Sequence, residues 1–237
     1  TTEVVSVNDS GVSGSSTSLW PSISRDGARV VFHSIATNLA AGDDNNQADV
    51  FVRDRTGSRT ILVSATADGT PANAGSIRAE ISADGRHVVF LSSATDLVAG
   101  VTSGLTHVYI RHLDTGVVEL VSQGSGGQPA DAGSGTPSVS GDGRYVVFQT
   151  FASNLGGLGY IYVRDTVSGT TSTVAGSSSV QADEPAISGD GSWIFYNNGY
   201  RGFVTERTSG TGAGNAINVP FQVLATSRFS EDGRFLA

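Results

Sequence analysis

The sequence predicts an all-β protein, specifically a β-propeller built of four-stranded antiparallel blades. Three observations carry that expectation. First, one hairpin pattern recurs: Pro137-Ser-Val-Ser-Gly-Asp-Gly-Arg-Tyr-Val-Val-Phe148 returns at 21–32, 79–90 and 185–196, and in clipped form at 227–237. Second, its Asp-Gly pairs at 26, 84, 142, 190 and 232 are 58, 58, 48 and 42 residues apart, a period that fits one blade per repeat. Third, the second strand of each hairpin is apolar on both faces, as in Val30-Val31, Val88-Val89, Val146-Val147 and Ile194-Phe195. A sheet with one wet face alternates apolar with polar residues. Sheets stacked as blades are covered on both sides.

Taken in order, 2–7 reads as a fourth strand, because Thr2-Glu-Val-Val-Ser matches Thr60-Ile-Leu-Val-Ser64 and Val118-Glu-Leu-Val-Ser122. The first full repeat places strands at 22–24, 29–33, 50–53 and 60–64. The second places them at 80–82, 87–91, 108–111 and 118–122. The third has 138–140, 145–149, 161–164 and 171–174, and the more divergent fourth has 186–188, 193–196, 203–205 and 217–224. The expected organisation is one domain over 1–237 with about five blades: 21–64, 79–122, 137–175, 185–224, and an incomplete closing blade in which 227–237 joins 1–7 from the other terminus.

Composition narrows the function. All 14 basic residues are Arg, and the net charge is −8, so a phosphate backbone would be repelled and nucleic acid is not an expected partner. No apolar run reaches the roughly 18 residues a spanning helix needs. There is no Cys, so neither disulfides nor thiolate metal sites are available. Met is also absent, even at position 1, which fits a processed chain with its signal peptide removed, or a fragment.

Antiparallel order puts tight turns on one rim (Ser-x-Asp-Gly, Thr56-Gly57, Thr115-Gly116, Ser168-Gly169) and long loops at 34–48, 65–78, 92–106 and 123–136 on the other. Long loops on a rigid scaffold are where binding concentrates. Asp43, Asp44, Asp49, Asp68, Asp96, Asp131, Asp183 and Glu184 fall on that rim, with Arg78 and Arg201 as its arginines. An acidic rim suits a cation or a basic patch on a partner.

Ser-x-Asp-Gly followed by Arg-x-Val-Val-Phe, then Asp49-Val-Phe-Val-Arg-Asp54, resembles the TolB-like, WD-type propeller repeats of bacterial extracytoplasmic proteins. Ala36-Thr-Asn-Leu39, Ala94-Thr-Asp-Leu97 and Ala152-Ser-Asn-Leu155 are similar to the loop after the second strand in that family. The resemblance implies a periplasmic or extracellular location and a non-enzymatic role as a protein-binding or scaffolding subunit, within a larger envelope complex. Two alternatives stay open. One is the propeller domain of a larger peptidase or hydrolase. The other is a carbohydrate-binding propeller, for which Trp20, Phe151 and Tyr200 are the scattered aromatic candidates.

No catalytic, cofactor or metal residues are assigned. The Ser-x-Asp-Gly segments are read as hairpin turns, where Gly takes positive φ and Asp bonds its own backbone. Arg53, Arg111, Arg164 and Arg207 are expected to end each third strand and to pair with carboxylates such as Asp54 or Asp165. Calcium is the one cofactor left open: Asp43, Asn45 and Asp49 place oxygen at alternate positions, without the Gly and bidentate Glu of an EF-hand. The four histidines, 33, 87, 107 and 112, show no metal-site spacing. Gly210-Thr-Gly-Ala-Gly214 reads as a flexible loop with no phosphate-binding helix after it.

Overall fold

A computed structural model describes residues 2–157, 160–175, 183–198, 201–207 and 217–219. It contains four antiparallel sheets of four strands each, in sequential order. The first holds β1 (Ser18–Ile23), β2 (Arg29–Ser34), β3 (Asp49–Asp54) and β4 (Arg59–Leu62). The second holds β5 (Ser76–Ile81), β6 (His87–Ser92), β7 (His107–His112) and β8 (Val118–Leu120). The third holds β9 (Ser134–Val139), β10 (Tyr145–Thr150), β11 (Ile161–Asp165) and β12 (Thr170–Ala175). The fourth holds β13 (Asp183–Ile187), β14 (Trp193–Asn197), β15 (Gly202–Glu206) and β16 (Ile217–Val219). The chain separates into two compact units, Thr1–Gly104 with Tyr109–Glu119, and Leu105–Val108 with Leu120–Ala237.

The inner strands are buried on both faces, as their pattern requires. Val31, Val50, Val52, Val88, Val89, Val146, Val147 and Ile194 are all buried. Across each second and third strand one aromatic pair repeats: Phe32 with Phe51, Phe90 with Tyr109, Phe148 with Tyr162, and Tyr196 with Phe203, at 5.3–6.0 Å between centroids. Offset aromatic pairs of this kind add to their burial about 0.5–1.5 kcal/mol each.

Four Ser-x-Asp-Gly turns share one set of bonds. Ser24 Oγ donates to Asp26 Oδ1 at 2.6 Å and accepts from the Arg29 amide at 3.0 Å. Ser82 with Asp84, Ser140 with Asp142, and Ser188 with Asp190 repeat the arrangement. Each of these hydroxyls bonds within its own turn. Neighbouring turns are also tied together. In the first unit the Arg25 amide donates to the Ala83 carbonyl, and in the second Gly141 donates to Gly189.

Two expectations are corrected. The segment 2–7 forms no strand. Only Val7 bridges, to Ser13, although the same bridge recurs at Ala65–Pro71 and Gln123–Pro129. The loop signature is therefore intact, but among the described residues no third strand lies beside 2–7 to complete a ladder. The partner stretch expected at 227–237 lies outside the described residues, as do 220–224. Secondly, the first strands begin three to four residues earlier than the sequence suggests, because each one is bulged.

The arginines are corrected too. Arg53 and Arg164 stand opposite Val30 and Val146, and the fourth sheet puts Thr205, not Arg207, in that position, opposite Ile194. Arg207 lies two residues on and donates to the Gly191 carbonyl, as Arg55 does to Gly27. The side-chain bonds of two of these arginines run to neighbouring threonines: Arg53 and Arg164 donate to the hydroxyls of Thr60 and Thr171. Asp54 faces Arg29 and Arg59, and Asp165 pairs with Arg144.

Candidate functional site

The bulges carry a backbone conformation that residues with a Cβ rarely adopt. At the same position of each first strand stands a non-glycine residue with positive φ: Trp20 (55°), Arg78 (51°), Thr136 (41°) and Glu184 (50°). Left-handed backbone is costly for residues with a Cβ and is exceptional for one as large as Trp. A bulge turns a side chain out of the alternation of its strand, and such strain persists where surrounding structure imposes it. Here Pro21, Pro137 and Pro185 follow three of the four residues. Proline has no N–H for the ladder, so it belongs at a bulge or an edge.

Each bulge residue lies on an edge strand. In the first unit β1 and β5 lie side by side. They bring the Arg78 guanidinium 4.8 Å from the centre of the Trp20 ring. Trp20 is 56% exposed and Ile23 58%, while Leu19 and Ile77 are exposed as well. Beneath them His33, opposite Leu19 on β2, is buried with its Nδ1 unpartnered. Burial lowers the His33 pKa and the Arg78 charge lowers it further, which keeps the imidazole neutral. The result is an apolar surface with one cation stacked on its aromatic centre. In the second unit the same positions are polar: Thr136 Oγ1 bonds Gln149 Oε1, Gln149 Nε2 donates to Asp183, and Asn197 Nδ2 donates to Glu184 at 3.0 Å.

The acidic residues of the long-loop rim are largely engaged. Asp96 accepts from the Asn73 amide at 3.1 Å, and Asp131 accepts from the amide and hydroxyl of Ser153. Asp68 closes its own turn with Thr66 and Thr70. The Asn38 and Asn154 side chains clamp the preceding loop in the same manner. Asp96 and Asp131 thus fasten loop to loop, staying exposed but held in place.

Asp49 is fully buried, with Ser64 Oγ at 2.6 Å on one oxygen and Asn45 Nδ2 at 2.8 Å on the other. Asp43 is buried beside it, and burial with the charges of Asp49 and Asp44 raises its pKa to about 6. Asn45 thus offers Asp49 a donor, and its Oδ1 accepts from the Gln47 amide. Among the described residues no cluster of three or more His, Asp or Glu side chains could hold a metal ion.

Of the aromatic candidates, Trp20 is exposed, Phe151 packs edge-on against Tyr160 at 5.1 Å, and Tyr200 lies outside the described residues, as does 210–214. The histidines hold a surprise: His87 and His112, 25 residues apart in sequence, meet at 2.8 Å between their Nδ1 atoms.

No family model matches the chain, and no curated protein is similar to it in sequence. Solved structures are similar. TolB from Acinetobacter baumannii superposes with a TM-score of 0.59 at 16% identity, covering 93% of this chain and 48% of that one. A protein described as a TolB from Agrobacterium tumefaciens gives 0.55 at 17%, covering 87% of this chain and 63% of that one. A prolyl endopeptidase gives 0.50 at 14%, covering 90% of this chain but 30% of the enzyme. The chain thus spans about half to three-fifths of the TolB proteins. These likenesses show the fold: the four sheets are blades of a TolB-like β-propeller.

Proposed function

We propose that the protein is a non-enzymatic, protein-binding propeller acting outside the cytoplasm, and that β1 and β5 present its contact surface. The observation that carries this reading is the pairing of Trp20 and Arg78 at matching strained bulges on adjacent edge strands. Trp and Arg are the residues most enriched in interface hot spots, and exposed apolar surface on a sheet edge invites an extended partner segment. The likeness to TolB proteins supports a periplasmic setting and a protein partner. This moves the expected contact face from the acidic loops to the bulged strand edge.

A photo-reactive amino acid placed at position 20 in the native host tests the assignment, with position 167, 76% exposed in the turn between β11 and β12, as control. Position 20 should cross-link a discrete protein that position 167 does not. Equal products from both positions would remove the assignment.

One observation favours a second reading, the propeller domain of a larger peptidase: the endopeptidase likeness covers nearly the whole of this chain. A hydrolase domain encoded in the same gene would decide for it.

A further inference from the structure

We propose that His87 and His112 form a two-histidine site for a divalent transition-metal ion, with Cu2+ or Ni2+ preferred over Zn2+. His87 is the first residue of β6 and His112 the last of β7, the positions held in the first sheet by Arg29 and Asp54. Tyr145 with Asp165 and Trp193 with Glu206 hold them in the third and fourth. Only the second sheet has two imidazoles here, so the pair is not a requirement of the fold.

The two Nδ1 atoms face each other in a hydrogen bond whose shared proton a metal ion would displace. The Nδ1 atoms are 2.8 Å apart, with the rings nearly perpendicular at 86°. At an imidazole–metal bond of about 2.0 Å, two ligands at a right angle sit about 2.8 Å apart, and two at the tetrahedral angle about 3.3 Å apart. The observed separation fits adjacent corners of the square or tetragonal arrangement that Cu2+ and Ni2+ favour. Water would complete the coordination, since each histidine side chain is about one-fifth exposed.

A carboxylate lies near each outer nitrogen, though His112 Nε2 is buried without a hydrogen-bond partner among the described residues. His87 Nε2 lies 3.8 Å from Asp84 Oδ2, and His112 Nε2 lies 3.2 Å from Glu119 Oε1. A carboxylate behind a ligating imidazole fixes its tautomer and raises its basicity. The neighbouring Arg86 is paired with Asp114 at 3.5 Å, which offsets its charge. With both Nδ1 atoms on the metal, each ring keeps a single proton, on Nε2, with Asp84 and Glu119 within 4 Å of the two Nε2 atoms.

Titration calorimetry of the untagged chain with CuCl2, NiCl2 and ZnCl2, together with electron paramagnetic resonance of the copper form, tests the proposal. One equivalent of Cu2+ should bind with two nitrogen ligands, more tightly than Zn2+. His87→Gln or His112→Gln should weaken binding at least tenfold, and Glu119→Gln about tenfold, whereas His33→Gln should leave it unchanged. Copper bound without two nitrogen ligands, or equally well by the His112→Gln protein, would overturn the site. The spectrum of the unmodified protein decides between these outcomes even if a histidine variant fails to fold.

Discussion

The Arg111 guanidinium donates from Nη1 to the carbonyl of Ala65 at 2.7 Å, reaching from the third strand of the second sheet into the loop that precedes it. A second bond from the same nitrogen reaches the Val63 carbonyl at 3.2 Å. In the first sheet Arg53 reaches Asn8 in the same way, and the Thr60 hydroxyl takes the Val7 carbonyl. The Thr171 hydroxyl bonds Gln123 likewise. One latch, an arginine or threonine on the carbonyls of the loop that precedes a first strand, is thus used in both units.

Arg111→Met should therefore destabilise the protein by about 2–3 kcal/mol, since it strands two carbonyls that lose a charged donor. Chemical denaturation with an unchanged m-value measures it. A change below about 0.5 kcal/mol would show that water replaces the latch.

Ser58→Gly should stabilise. Ser58 has φ 50° at the turn position where Gly116 and Gly169 sit with φ of 74° and 68°. Removing the Cβ relieves about 1–2 kcal/mol of left-handed strain, against an entropic cost of about 0.5–1 kcal/mol. A rise in Tm of a few degrees is the expected result, with no change in secondary structure.

Acid stability should depend on Asp165. Burial alone would raise its pKa, but the Arg144 hydrogen bond and the amides of Ser168 and Val167 outweigh it and bring the value down to about 2. The folded pKa lies below the unfolded one, so this contribution is complete above about pH 4. It disappears as pH falls toward 2. Arg144→Gln should flatten the pH dependence of stability in that window and leave the slope above about pH 5 unchanged.

Asp43 should act with the opposite sign. Its folded pKa of about 6 exceeds the unfolded value, so ionisation above about pH 6 opposes folding and the penalty vanishes by about pH 4. Asp43→Asn should raise Tm at about pH 8 and remove the gain in stability that the parent protein shows between about pH 6 and 4.

Which of these features are legible in the sequence follows from what each depends on. Val30-Val31 and its counterparts reveal doubly covered strands because burial on both faces is written into adjacent residues. The serine turns are legible because their bonds are local. Strand β1 reads as shorter than it is because Pro21 and the bulge at Trp20 break the alternation, though the recurring proline is itself a sign of a bulge. The His87–His112 pair is invisible, since it depends on cross-strand register over 25 residues. Arg207 falls out of place for a related reason: its Arg-ending pattern is shifted by two residues, and only the Ile194–Thr205 pairing exposes the slip.

The binding surface is best tested by affinity. Peptides selected from a displayed random library on the intact protein should be titrated into the unmodified, Trp20→Ala and Arg78→Ala proteins. Hot-spot residues cost about 2 kcal/mol or more, so each variant should weaken binding about thirtyfold or more, with folding unchanged. Selected peptides that bind all three proteins equally would place the contact surface elsewhere and contradict the assignment of β1 and β5.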